Sequence, residues 1–98
     1  MLKHIVFWNL KDTADGRGMQ ENALLIKQGL ESLVGRIDGL LKAEVGIGQH
    51  AEGYDLCLYS EFSSKEALDA YQVHPEHVKV RKFVQSVCTA RAVCDYEI

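Results

Sequence analysis

An α+β domain of βαββαβ order, with one four-stranded antiparallel sheet, is what this chain predicts, and three observations carry that expectation. Segments of period-two alternation and of helical periodicity follow one another in that order. The strand segments bear apolar side chains on both faces, so each side of the sheet needs a cover. At 98 residues there is room for one core, hence a single domain over residues 1–98. Helices on one face of such a sheet make the ferredoxin-like plan. The other face, being apolar too, is expected to meet a second copy, forming a dimeric α+β barrel with the helices outside. A monomer of this size hides only about 60–70% of the surface its unfolded chain exposes, so pairing adds burial where it is short.

The first element is "LKHIVFWNL", rich in β-branched and aromatic residues. Its alternation sets Leu2, His4, Val6, Trp8 and Leu10 against Ile5, Phe7 and Asn9. "KDTADGRG" is turn chemistry. Beyond it Ile26, Leu30, Leu33, Val34 and Ile37 recur at helical spacing from a start near Met19, and Gly35 is a suitable left-handed stop. "GLLKAEVGIG" alternates again, with Leu41, Ala43, Val45 and Ile47 expected on its apolar side. "YDLCLYSEF" is the next strand and its hairpin partner, setting Leu56, Leu58 and Phe62 against Cys57 and Tyr59.

"SSKEALDAY" opens with Ser63 three residues before Glu66, a capping-box spacing, and continues as a short helix with Ala67, Leu68 and Tyr71 on one side. Proline is favoured at the first position of a helix, where its missing N–H would have no partner. Pro75 therefore splits this crossover in two, with His74 at the N-cap and His77 at the third helical position. Val80, Phe83, Val84 and Val87 form the inner face of the second helix. "TARAVCDYEI" closes the sheet, with Arg91, Val93, Asp95 and Glu97 opposite Ala92, Cys94 and Tyr96.

Composition narrows the partners. Net charge is −3 and the 11 Lys and Arg residues are scattered, without the basic stripe that phosphate binding requires, so no nucleic acid is expected. No segment approaches the ~20 apolar residues of a membrane span, and the apolar start is too short for a signal segment; no membrane partner and a cytoplasmic location are expected. Cys57, Cys88 and Cys94 match no zinc or redox spacing and read as reduced packing residues. His74 and His77 are separated by Pro75, and His50 has only Glu52 and Asp55 nearby in sequence, so no metal site is expected.

"KHIVFWNLK", "YDLCLYSEFSSKEALDAYQVHPEHVKVRKFV" and the final "DYE" resemble the stress-responsive A/B barrel (Dabb) family over nearly the whole chain. The most diagnostic parts are Lys3-His4, the Tyr71-x-x-His74-Pro75-x-His77 run and Asp95-Tyr96. The resemblance implies a dimeric α+β barrel. It implies less about activity, since most members have no assigned reaction. A plant polyketide cyclase of the family uses the fold for an aldol cyclisation with no metal or organic cofactor, and its working tyrosine and histidine fall by motif on Tyr71 and His77.

On that resemblance His77 is the candidate base, Tyr71 the acid that donates to a developing enolate oxygen, and Asp95 the group that orients the base. His4, Val6, Trp8 and His74 are the candidate substrate-binding residues. A helix N-terminus disfavours an imidazolium by about 0.3–1 kcal/mol, so His77 is expected to be mostly neutral near pH 7, with Glu76 opposing. Each role has a structural alternative. His74 and His77 can serve as a cap and a surface residue, Tyr71 as a core aromatic, Asp95 as an ion-pair partner of Arg91, and His4 as a hydrogen-bonded core histidine. Two functions therefore stand side by side: a cofactor-free lyase or cyclase acting on a small, partly apolar carbonyl compound, and a non-catalytic homodimeric module that binds a small ligand or a partner protein. A cofactor-independent monooxygenase is a third, by analogy of fold alone.

Overall fold

The nine residues of β1 (Leu2–Leu10) alternate strictly between buried and half-buried, as the side-chain pattern predicts. The computed structural model describes residues 1–98. After β1 come the two-residue strands β2 (Thr13–Ala14) and β3 (Arg17–Gly18), then α1 (Met19–Glu31), β4 (Leu40–Ile47), β5 (Leu56–Phe62), α2 (Lys65–Val73), α3 (Pro75–Val87) and β6 (Cys88–Glu97). β1 is flanked on both sides by antiparallel partners, and the four long strands run β4-β5-β1-β6 across the sheet. This is the ferredoxin-like βαββαβ arrangement, with the crossover between β5 and β6 carried by two helices. The extra pair β2–β3 grows from the Asp15-Gly16 turn, where both residues have positive φ, the geometry a two-residue hairpin demands.

The core lies between the helix layer and the inner face of the sheet. Ile26, Leu56, Phe62 and Val87 are wholly enclosed there, each worth about 1.5–3 kcal/mol relative to exposure. α1 lies over β4 and against α3. Lys27 and Glu31 at its C-terminal end meet the outer edge of the sheet: Lys27 Nζ donates to the Val45 carbonyl at 2.7 Å, and Glu31 Oε2 accepts from the Val45 N–H at 2.9 Å. Two side chains one turn apart thus stand in for a strand neighbour and blunt that edge. On the opposite face Ile5 sits between Tyr59 and Cys94, and Phe7 between Cys57 and Ala92, with no helix over them.

Three local expectations change. In β4 the register shifts between Leu40 and Lys42, so Leu40 takes the buried place opposite Phe62 and Leu41 is half exposed. Ala43 and Val45 keep the inward parity opposite Ser60 and Leu58, while Ile47, at the end of the sheet, is half exposed. α1 stops at Glu31 rather than at Gly35; Leu33 and Ile37 are buried from the turns that follow, and Val34 is exposed because the helical phase does not reach it. The cap of α2 is Ser64, whose Oγ accepts from the Ala67 N–H at 3.1 Å, while the Ser63 N–H donates to the Gly39 carbonyl at 2.9 Å.

Gly39 binds the turn before β4 to the first turn of α2. It sits at φ +85°, and a Cβ there would lie 2.5 Å from the Ala67 Cβ. Gly39→Ala is therefore expected to lower the unfolding free energy by about 1–3 kcal/mol, seen as a lower urea midpoint at unchanged slope.

Candidate active site

A cavity of about 160 Å³ opens between the sheet and the helix layer, close to the size that admits a benzene-sized guest. His4, Val6 and Trp8 line it from β1, Leu58 from β5 and Arg91 from β6. Opposite them stand Leu30 of α1, Tyr71 and Gln72 of α2, and His77, Arg81, Val84 and Gln85 of α3. The parity of β1 alone brings His4, Val6 and Trp8 to this wall, because alternate residues of a strand share a face.

His4 is 4% exposed. It pairs across the β1–β6 ladder with Asp95, and its Nδ1 meets the Asp95 carboxylate at 2.5 Å. The carboxylate fixes the tautomer with the proton on Nδ1, which leaves Nε2 as the basic nitrogen for the cavity that His4 lines. Its backbone is held as well, since the Ser60 hydroxyl donates to the His4 carbonyl at 2.6 Å. Asp95 was expected to orient His77, with an ion pair to Arg91 as the alternative. It does neither: antiparallel register puts it opposite His4, and Arg91 lies beside Trp8 four residues away.

Tyr71 and His77 do come together. Their rings stack with centroids 3.9 Å apart and planes 25° from parallel, and Phe62 meets the Tyr71 ring edge-on at 4.9 Å. The junction of α2 and α3 produces this stack, because Pro75 starts the second helix at once and folds its first turn back over the last turn of α2. Burial pushes the Tyr71 phenol well above its ordinary range, so it remains a hydrogen-bond donor. Burial, aided by the charge of Arg81, lowers His77 to about 4, against the weaker opposite pull of the Gln72 and Tyr71 carbonyls. This is a far larger depression than a helix terminus alone would give, because the ring is enclosed. Its Nδ1 is buried without a hydrogen-bond partner.

His74 is the N-cap of α3, its Nδ1 accepting from the Glu76 N–H at 3.1 Å, and it does not line the cavity. The residues that sequence reasoning missed are Gln72, Arg81, Gln85 and Arg91. Arg81 stands one helical turn beyond His77, and this spacing is the signal that could have found it. No group of three or more His, Cys, Asp or Glu side chains converges in a way that would hold a metal ion. No helix is long and apolar enough to cross a membrane.

The family described as Stress responsive A/B Barrel Domain matches residues 2–98. Stress-response A/B barrel domain-containing protein DABB1 of Arabidopsis thaliana is 32% identical over 92 residues, covering 89% of this chain; the chain spans 42% of that protein's length. A dimeric protein of unknown function and ferredoxin-like fold from Bacteroides fragilis is similar at TM-score 0.81 and 33% identity, over 99% of this chain and 95% of that one. Hydroxynitrile lyase from Passiflora edulis shares the fold at TM-score 0.83 and 19% identity, over 99% and 92% of the two chains.

The state of His77 sets a pH dependence. Its folded pKa lies below the ordinary 6.5, so the unfolded chain binds the proton more readily. The stability held in its neutral form is complete above about pH 6.5 and is lost as pH falls toward 4. Glu31 and Glu61, whose carboxyls are held low, act in the same direction only below the ordinary carboxylate range. Urea unfolding at stepped pH should therefore show a decline between about pH 6.5 and 4.5 that His77→Gln removes.

Proposed function

Since this chain belongs to the stress responsive A/B barrel domain family, we propose that it acts as a homodimer whose protomers each use side chains alone for acid–base chemistry on a small, partly apolar carbonyl compound. The carrying observation is that His4, held from behind by Asp95, shares one cavity with the protonated, buried phenol of Tyr71. His4 Nε2 takes the proton on the carbon next to the carbonyl, and Asp95 holds Nδ1–H and stabilises the imidazolium that forms. Tyr71 donates to the oxygen on which enolate charge develops. In the cyclase sense the enolate carbon then attacks a second carbonyl and the imidazolium returns its proton to the new alkoxide. In the lyase sense the base takes the alcohol proton, the carbon–carbon bond breaks, and the released enolate carbon is protonated.

The base role that the motif suggested for His77 moves to His4 in this reading. An imidazole at about 4 is a weak proton acceptor near neutrality, and His77 has no carboxylate behind it. His77 instead holds the Tyr71 ring by stacking. A second reading, the non-catalytic ligand-binding module, has its own support, since the cavity is smaller than the ~300–1,000 Å³ common for ligand pockets and the Tyr71–His77 stack fills space.

Dimerisation is supported by the uncovered face of the sheet, with Ile5, Phe7, Tyr59 and Tyr96, and by the dimeric description of the Bacteroides fragilis relative. Sedimentation equilibrium should give a dimer, and Phe7→Glu, which puts a charge in the middle of that face, should give a folded monomer.

Proton abstraction can be read without the natural substrate. In D₂O the protein is expected to speed deuterium uptake next to the carbonyl of small ketones, followed by NMR. His4→Gln and Tyr71→Phe should each lose about 100-fold or more of that rate with melting temperature retained. Ligand-dependent shifts with no exchange above buffer would leave the binding module in its place.

A further inference from the structure

We infer that the compound this cavity takes is a small oxo acid, whose carboxylate is held by Arg81 and Arg91 at the mouth while its carbonyl lies toward Tyr71 and His4. The carbonyl part rests on the acid–base reading above; the carboxylate part stands on charge. The chain as a whole is acidic, with a net charge of −3, yet no Asp or Glu lines this cavity and two arginines do.

Neither arginine is neutralised within the chain. The ion pairs of the molecule involve Lys3, His4, Arg17, Lys27, Lys65 and Lys79. Arg81 donates from Nη1 to the Gln72 carbonyl at 2.7 Å, which anchors the guanidinium at the rim and leaves most of its five donors free. Asp95, the nearest carboxylate on the strand of Arg91, is engaged by His4. A guanidinium without an acidic partner at the mouth of a cavity is a site for an incoming anion, and two of them, half-buried Arg81 and exposed Arg91, suit the planar fork of a carboxylate.

Exposure gives the cavity a direction. Arg91 is exposed and Arg81 half-buried, whereas His4, Val6, Trp8, Leu58 and Tyr71 are enclosed. A ligand with its charge at the rim must therefore carry an uncharged, partly apolar part inward, with the hydrogen-bond acceptor at its inner end meeting the phenol. The volume of about 160 Å³ restricts it to the scale of a short-chain oxo acid. The positive charge at the rim also reaches His77, where it adds to burial in disfavouring the imidazolium.

The test uses the full chain with two probes, 2-oxobutanoate and 4-oxopentanoate, and their uncharged methyl esters, titrated by calorimetry and by the Trp8 indole N–H signal. At least one acid should bind about tenfold or more tightly than its ester, as expected of charge-assisted hydrogen bonds. The double variant Arg81→Gln/Arg91→Gln should bring that ratio to about one while ester binding and melting temperature stay unchanged. Equal binding of acid and ester, binding of neither, or a preference that survives in the double variant would each overturn the inference. Its failure is separable from that of the acid–base reading: acid preference without deuterium exchange removes the chemistry and keeps the anion site, and exchange without acid preference does the reverse.

Discussion

The structure depends on the placement of β1 between β5 and β6, because a central strand has no freedom to choose which side chains it turns to which face. A slip of one residue would send His4, Val6 and Trp8 to the uncovered side and bring Lys3, Ile5 and Phe7 beneath the helices. Hydrogen bonds at the far end of the strand guard against that. The Leu10 N–H donates to Asp55 Oδ2 at 2.8 Å, and the Asp55 N–H bonds the Trp8 carbonyl at 3.0 Å and Asn9 Oδ1 at 3.1 Å. Asp55 thus ties the strand to the loop that enters β5.

Polar groups inside the core follow from the same placement. An imidazole buried without a partner would be costly, and His4 is tolerated because β6 supplies a carboxylate across the ladder. Asn22, wholly buried on α1, donates to the Ala14 carbonyl at 3.1 Å and so joins the helix to the small hairpin. Asn22 Oδ1 and His77 Nδ1 are the exceptions, both enclosed without a hydrogen-bond partner, and of the two residues only His77 lines the cavity. For His77 the compensation is the face of Tyr71, a contact of rings rather than a hydrogen bond.

The outer face of the sheet is not uniformly apolar either. Lys3 donates to the Tyr59 hydroxyl, which donates in turn to Glu61 Oε2 at 2.6 Å. The hydrogen bond to Tyr59 raises the Lys3 pKa and lowers that of Glu61, so both ions are favoured. Beside Ile5 and Phe7 this chain of three polar groups gives the face a direction that a purely apolar surface would lack. The proposed dimer would be oriented by it.

Much of this was legible in the residues. Alternation in "LKHIVFWNL" determines one face holding His4, Val6 and Trp8, because the side-chain period of a strand is 2 whatever surrounds it. Pro75 determines the break between α2 and α3 and the cap at His74, because a missing N–H and a restricted φ act locally. Periodicity alone misplaces Leu41, where a bulge resets the parity, and Val34, where apolar spacing outlasts the helix. What only the tertiary structure decided is the partnership of side chains distant along the chain. Asp95 belongs to His4 because β6 returns antiparallel to β1 in one register, and Arg81 and Arg91 meet at one cavity because a helix and a strand close over it. Periodicity sets the face a residue looks toward, whereas pairing across a sheet depends on how the whole chain folds back on itself, and no local pattern encodes that.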